Sequence, residues 1–501
     1  MSSLKENEFP SIQNISKHGR LTACLCLTAA CLLLTACGGQ GGNAESLREN
    51  GTDTAADSQA MPSLSDIPAD VPEGRQVVWI GDSYEDFSLA NAVRGFNESN
   101  DTYWAEVISY GEINGKILGT MDPEAEAAMK RIQIAMTVGT DCPDLMFIDP
   151  YWMNVRELAQ QGYFEDLNPY LERSGQLSAE DFMDGIPEAF TYGGRLITLP
   201  RYFGLEFLVG KKSQLEQFDS WTANDLFAYG EQYPDSVLVE CDSDTRYTRI
   251  IYGELLRLYE DPPFVVEDND RKAVDRERLT AFLEKINRDS QQPMEGLDSY
   301  PDYYAENRIL LLRAGITWIW DIQMYRAIFE RDEMYVGYPS DDGRNIKITA
   351  DDLYGIPCMA KNKEGAWAFL EYYLSQPQDT YNHFPSRKDA FEEALQRDLL
   401  HEGYEVNEEG ILVSAGTNMP MMSSGRGGWT FSPGEIQQED IETVRDLISR
   451  AGHPFAKDYV EMTWLKIMAE EDGAYYDGQK PLQDVVDIIA ARLQMYLDET
   501  T

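Results

Sequence analysis

The chain has 501 residues, with 42 basic against 87 acidic side chains and a net charge of −45. A surface of that sign repels phosphate, so nucleic acid and polyanionic solutes are excluded as partners held by long-range attraction, and neutral or cationic ligands are favoured. Hydrophobic residues at 43% and aromatics at 11% support sizeable cores, and the length fits two domains or more.

The N-terminus reads as an export signal. Lys5, Lys17 and Arg20 precede fourteen apolar or small residues, Leu21 to Leu34, which are too few for a spanning helix of about 20. Leu34-Thr35-Ala36-Cys37 follows, then two glycines. This resembles the bacterial lipobox, which implies cleavage before Cys37 and acylation of its thiol, with membrane contact through lipid alone. Residues 1–36 carry three basic and two acidic side chains, so the chain from Cys37 onward carries −46. Residues 37–74 are rich in Gly, Ser, Ala, Asp and Glu, with little to bury. They read as a disordered tether with a root-mean-square reach of roughly 30–35 Å. Of seven cysteines, Cys24, Cys26 and Cys31 fall in the signal, and Cys142, Cys241 and Cys358 are too widely spaced for a disulfide framework or a metal motif.

Further along, 76–80 reads as a buried strand ending at Gly81-Asp82-Ser83, and 89–96 as a helix with Leu89, Val93 and Phe96 on one face. A second strand at 104–110, a helix at 124–138 and a third strand at 143–148 ending at Asp149 follow. That alternation predicts a mostly parallel sheet covered by helices, with ligands beyond the carboxyl ends of its strands, near Asp82 and Asp149–Trp152. A helix over 154–162 comes next, then a hairpin turn and strand over 192–200, extended chain over 205–209, and mainly helices from Trp221 to Asn287. Residues 306–320 end in Ile316-Thr317-Trp318-Ile319-Trp320, where equal parity would place Trp318 and Trp320 on one side of a strand. Helices are expected over 367–374, 436–450 and 481–499.

Several segments, in this order, resemble the extracellular solute-binding proteins of sugar-type ABC importers, the maltose-binding-like class. They are GYFEDLNPYL (162–171), YGGRLITLP (192–200), AGITWIW (314–320), LYGIPCMA (353–360), GAWAFLEYYL (365–374), FPSRKD (384–389), and a tail with Glu470-Glu471, YDGQK (476–480) and RLQMYL (492–497). The resemblance covers about residues 75–501. It implies a type II periplasmic-binding-protein-like α/β fold of two discontinuous lobes, each a mostly parallel sheet flanked by helices, joined by crossing hinge strands. Lobe one would be 75–200 with 338–384 and lobe two 201–337 with 385–501. It further implies ligand capture between lobes, closure about the hinge, delivery to an ABC permease, a monomer, no cofactor and no catalysis.

A carbohydrate site needs aromatic plates for C–H faces and carboxylates, amides or Arg for hydroxyl rims. Nine Trp and 28 Tyr are available. Candidate ligand contacts are Trp152, Trp318, Trp320 and Trp429 as plates, and Asp82, Asp149 and Asp321 as hydroxyl acceptors. Tyr202 stands after the crossover proline, and Arg426 in the glycine loop 423–429. Each Trp could instead be core, and each Asp a helix cap. Two other readings share this chain: an exported hydrolase acting on glycans and a sensory binding protein for a membrane kinase. No Gly-x-Ser-x-Gly or His-Glu-x-x-His is present to favour the hydrolase. Asp242-Ser243-Asp244 and Asp268-Asn269-Asp270 lack the remaining spacing of a calcium loop, and no metal is expected.

Overall fold

The structure, a computed structural model, describes residues 64 and 67–500, except for 83–86, 110–111, 114–115, 118–122, 149–154, 219–220, 241–244, 257–261, 269–270, 292–299, 351–352, 378–382, 401–403, 407–411, 415–422, 425–428 and 453–462. The signal, Cys37 and most of the tether lie outside the described residues. No helix among the described residues is long and apolar enough to cross a membrane.

The first sheet grows from local alternation. Strand β1 (Gln76–Asp82) leads to helix α1 (Phe87–Ser99), strand β2 (Tyr103–Ser109), helix α2 (Pro123–Val138) and strand β3 (Leu145–Ile148). β1 pairs in parallel with both β2 and β3, as the strand–helix–strand pattern requires. Leu89 and Phe96 of α1 and Ile132 and Met136 of α2 are buried; Val93 is half-buried.

The chain then passes to strand β4 (Tyr202–Lys211). Of the stretch expected as hairpin and strand at 192–200, only the hairpin pairs Thr191↔Leu196 and Tyr192↔Arg195 are strand. Gly193 and Gly194 make its turn at φ +56° and +79°, the left-handed pair that a two-residue loop demands. The region expected to be mainly helical holds more than helices. Helix α3 (Ala223–Gln232), strand β5 (Val237–Val239), helix α4 (Thr245–Leu255), the hairpin of β6 (Val265–Asp268) and β7 (Arg271–Val274), and helix α5 (Arg276–Ser290) follow in turn. Strand β8 (Ile309–Ile316), helix α6 (Trp320–Ile328), strand β9 (Glu333–Tyr335) and strand β10 (Lys347–Thr349) come next.

β4 and β8 are the middle of a six-stranded second sheet. The expectation of a mostly parallel arrangement holds for the first sheet only. Here β5–β8 is parallel, while β4 runs antiparallel to β8, β9 and β10. Strand β11 (Leu353–Gly355) then returns to the first sheet, antiparallel to β3. The carboxylate of Asp144 fastens that return by accepting the amides of Trp79 (3.1 Å), Lys361 (3.1 Å) and Asn362 (2.7 Å).

Helix α7 (Lys363–Ser375) packs on β1, and the two-residue strand β12 (Phe384–Pro385) crosses back to pair with the start of β4. The crossing is stitched: Ser386 Oγ donates to the Pro200 carbonyl (2.5 Å) and its amide to the Arg201 carbonyl (2.9 Å). Helix α8 (Lys388–Leu399), the short hairpin of β13 (Ser423–Ser424) and β14 (Thr430–Phe431), and helices α9 (Gln438–Ser449), α10 (Thr463–Glu471) and α11 (Leu482–Thr500) complete the chain.

Residues 61–501 form one compact unit with two hydrophobic cores. One core runs from the first sheet to the face of the second sheet that carries Phe207, Leu312, Ala314 and Ile316. The other covers Leu208 and Leu311 on the opposite face with Tyr252, Phe282, Trp464, Val485 and Ile489 from the helices.

Candidate ligand-binding site

β5 and β8 run in parallel, so their carboxyl ends lie at one edge of the second sheet, with Glu240 after β5 and Thr317-Trp318 after β8. Both positions are where an open α/β sheet presents ligand-binding groups. Trp318 is half-buried and tightly held. Its backbone amide and that of Thr317 donate to the Asp321 carboxylate (3.3 and 3.1 Å). Its indole N–H donates to Asp398 on α8 (3.2 Å). Burial pushes the Asp398 carboxyl up to about 6, against the opposing effects of Arg397 and the Trp318 indole. Burial also raises Asp321, opposed by the two amides it accepts. One local and one distant carboxylate therefore fix the backbone and the ring of one partly exposed aromatic.

Trp320 does not share that position. β8 stops at Ile316, Asp321 draws the chain into a turn, and Trp320 opens α6 with its side chain in the core, edge-on to Trp318 at 5.8 Å. The parity expected of a continuous strand fails because the strand has already ended. Asp321 itself holds the turn.

Trp429 is half-buried, stacked on Phe431 (6.1 Å, 13°) and 6.3 Å from Tyr300. The Tyr300 hydroxyl donates to Glu240 at 2.6 Å, so an aromatic group and a carboxylate meet at the end of β5. The β13–β14 hairpin pairs Ser423↔Phe431 and Ser424↔Thr430. Arg426, Asp149 and Trp152 lie outside the described residues.

The remaining candidates sit elsewhere. Asp82 ends β1 but is buried, and its carboxylate accepts the hydroxyl of Tyr354 on β11. Tyr202 is half-buried at the crossover, 5.6 Å from the exposed His383 ring. The Arg201 guanidinium lies over both Tyr202 (5.4 Å) and Tyr373 (4.7 Å), and donates to the Pro377 carbonyl (3.0 Å).

A polar lane was missed in the sequence reading. On the face of β8 that carries buried Leu311, the next residues of equal parity are Arg313 and Gly315, both exposed, and Thr317 just past the strand is exposed too. Glu206 on β4 faces Gly315 in register, and Lys347 on β10 pairs with Glu206 (3.4 Å). Arg313 pairs with Glu254 of α4. The alternation Leu312-Arg313-Ala314-Gly315-Ile316-Thr317 is a period-two signal of a strand with one open face, and it could have identified this lane. Asp398 carried no such signal, being 80 residues from the ring it holds.

A partly exposed, hydrogen-bonded tryptophan thus stands at the strand ends of the central sheet, where an open α/β sheet presents ligand-binding groups. Residues 122–398 match the family model described as bacterial extracellular solute-binding protein, and the chain belongs to that family, whose members act outside the cytoplasm. No curated protein matches the sequence.

Among solved structures, the chain resembles the sugar-binding protein MalE of Xanthomonas citri at 14% identity and a TM-score of 0.46, over 85% of this chain and 98% of that one. It also resembles an extracellular solute-binding protein family 1 member from Alicyclobacillus acidocaldarius (10%, 0.44, 85% and 100%). A third is an ABC transporter solute-binding protein of Thermotoga lettingae bound with α-D-tagatose (15%, 0.39, 84% and 99%).

Proposed function

We propose that this chain captures a carbohydrate of oligosaccharide size and hands it to an ABC permease, without chemistry on the ligand. It is anchored through an acylated Cys37 and acts as a monomer. The ligand lies between two lobes, 75–200 with 338–384 and 201–337 with 385–501. Trp318, Trp429 and Trp152 supply the plates, and Tyr202, Asp149 and Arg426 supply the rim.

The observation that carries this reading is the pinned Trp318. A partly exposed ring whose backbone is held by Asp321 and whose indole is held by the buried Asp398 has already lost the freedom that binding would otherwise take from it. The strong negative charge disfavours an anionic ligand.

The test is thermal denaturation of the mature chain, with Cys37 replaced by Ser, against glucose and against malto-, cello- and xylo-oligosaccharides of two to four units. A binder present at 100 times its Kd adds about 2.7 kcal/mol of stability. Trp318→Ala should lower affinity at least tenfold, with the unliganded melt nearly unchanged. A shift with amines or peptides and none with sugars overturns the carbohydrate assignment, and release of shortened sugars overturns the absence of catalysis.

A further inference from the structure

We infer that the exposed apolar face made by Ile134 and Val138 of α2 and Met359 of the loop after β11 rests on the anionic surface of the membrane that the tether reaches. The inference rests on the anchored reading above. It adds a second membrane contact, where the sequence led us to expect the lipid alone.

Among the described residues six large apolar side chains are well exposed, and three of them stand together here. Ile134 is 59% exposed, Val138 63% and Met359 50%. Ile134 and Val138 are one turn apart and share a face of α2. A Cβ built on Gly139 would come within 2.5 Å of Met359 Cε, which sets Met359 against the end of that helix. Apolar residues scattered singly over a surface need no partner, whereas a contiguous group marks a contact.

Charge identifies the partner. The chain has 87 acidic side chains against 42 basic, yet the segments 130–140 and 353–363 hold Lys130, Arg131, Lys361 and Lys363 and no acid. Lys363 pairs with Glu165 (2.8 Å), while Lys130, Arg131 and Lys361 are exposed. Lys130 and Arg131 lie four and three residues before Ile134, on its face of the helix. Asp141, also exposed, is the nearest acid to Val138 in sequence. At physiological salt a charge is felt over only about 8 Å. Most of this acidic surface is therefore repelled by anionic lipid, and a bilayer admits a face where cations border apolar side chains that can enter the headgroup layer.

The topology puts this face on the tethered end of the first sheet. Val138 closes the helix that leads to the amino end of β3. The Asn362 side chain, next to Lys361, donates to the Val77 carbonyl at the start of β1 (3.0 Å). The chain enters β1 from the tether at that same end, opposite the carboxyl ends where a ligand would sit. A tether with a reach of roughly 30–35 Å keeps the face at high local concentration near the bilayer, so a weak contact suffices.

The experiment co-sediments the mature chain, with Cys37→Ser to remove the anchor, with sucrose-loaded vesicles of phosphatidylcholine alone or mixed equally with phosphatidylglycerol. Partition onto the mixed vesicles should exceed that onto phosphatidylcholine about fivefold or more at low salt, and fall as salt is raised. A triple variant, Ile134→Ser with Val138→Ser and Met359→Ser, should lower it by about fivefold or more. A second, Lys130→Gln with Arg131→Gln and Lys361→Gln, should bring the two vesicle types to parity. All six positions are exposed, so both variants should melt as wild type does, and each set serves as the readout should the other misfold.

Equal partition of wild type and the apolar variant overturns the membrane contact and leaves the anchored reading standing. A wild-type dimer in sedimentation velocity that the apolar variant loses also overturns it, since the face would then meet a second copy. If protein extracted from membranes carries no acyl chain on Cys37, the anchored reading falls and the inference with it.

Discussion

The two central strands of this protein have opposite gradients of exposure. β1 begins exposed at Gln76 and becomes fully buried through Ile80, Gly81 and Asp82. β8 begins buried at Ile309 through Leu312 and opens at Arg313 and Gly315. Both carboxyl ends occupy the position where an α/β sheet offers a site, yet Asp82 is spent on Tyr354 while the end of β8 displays a held tryptophan. Position in the topology nominates a site residue, and the cover above it decides whether it is one.

The largest effect should separate the two faces of the second sheet. Phe207 is fully buried, edge-on to Tyr325 (5.9 Å) and Tyr335 (5.5 Å), so Phe207→Ala should lose roughly 3–5 kcal/mol in urea denaturation. Thr317→Ala, on the open face, should stay within about 0.5 kcal/mol. Similar losses at both would mean that the lane is covered in solution.

Next comes the contrast of strand ends. Asp82→Ala removes a buried carboxylate–phenol bond and should cost about 1–3 kcal/mol of stability, with less than a twofold change in sugar affinity. A large affinity loss would break the contrast and return Asp82 to the ligand.

The pH profile sharpens it further. Asp398, behind the Trp318 turn, and Asp472, against Arg249 near the other core, are both held at about 6 by burial, above the unfolded value near 3.9. Between those values the folded chain holds more protons than the unfolded one. Their contribution to stability is therefore greatest below about pH 4, declines as pH rises to about 6, and is flat above. Asp398→Asn keeps an acceptor for the indole and should remove about 2 kcal/mol of that decline, measured as urea midpoints from pH 4 to 7.5. A profile as steep as wild type would mean that the carboxyl is solvated.

The smallest effect is expected at the surface beside the first sheet. Arg173 and Glu364 pair at 2.7 Å with both side chains well exposed, so Glu364→Gln should shift stability by less than about 0.5 kcal/mol.

How much could be read in advance follows from the same gradients. The β1–α1–β2–α2–β3 series was legible because each element carries its own period and its neighbours are adjacent in sequence. β5 was hidden: three residues, Val237 to Val239, carry no measurable period, and their partner Ile309–Leu311 lies some seventy residues on. The β6–β7 hairpin was masked by the helical patterns on either side. The Trp318–Trp320 parity failed because a side chain in the next element, Asp321, turns the backbone that the parity rule assumed straight.

By itself, then, the sequence determined the α/β class, the family, and the presence of an aromatic-rich segment at 314–320, since these depend on local periodicity and ordered motifs. Only the tertiary structure decided that Trp318 is displayed while Trp320 is core, that Asp82 is enclosed, and that the Leu311 face of β8 opens at Arg313 and Gly315. The physical reason is that exposure and ring orientation depend on what packs overhead, and here those neighbours, Asp398, Tyr354 and Glu254, arrive from segments tens to hundreds of residues away.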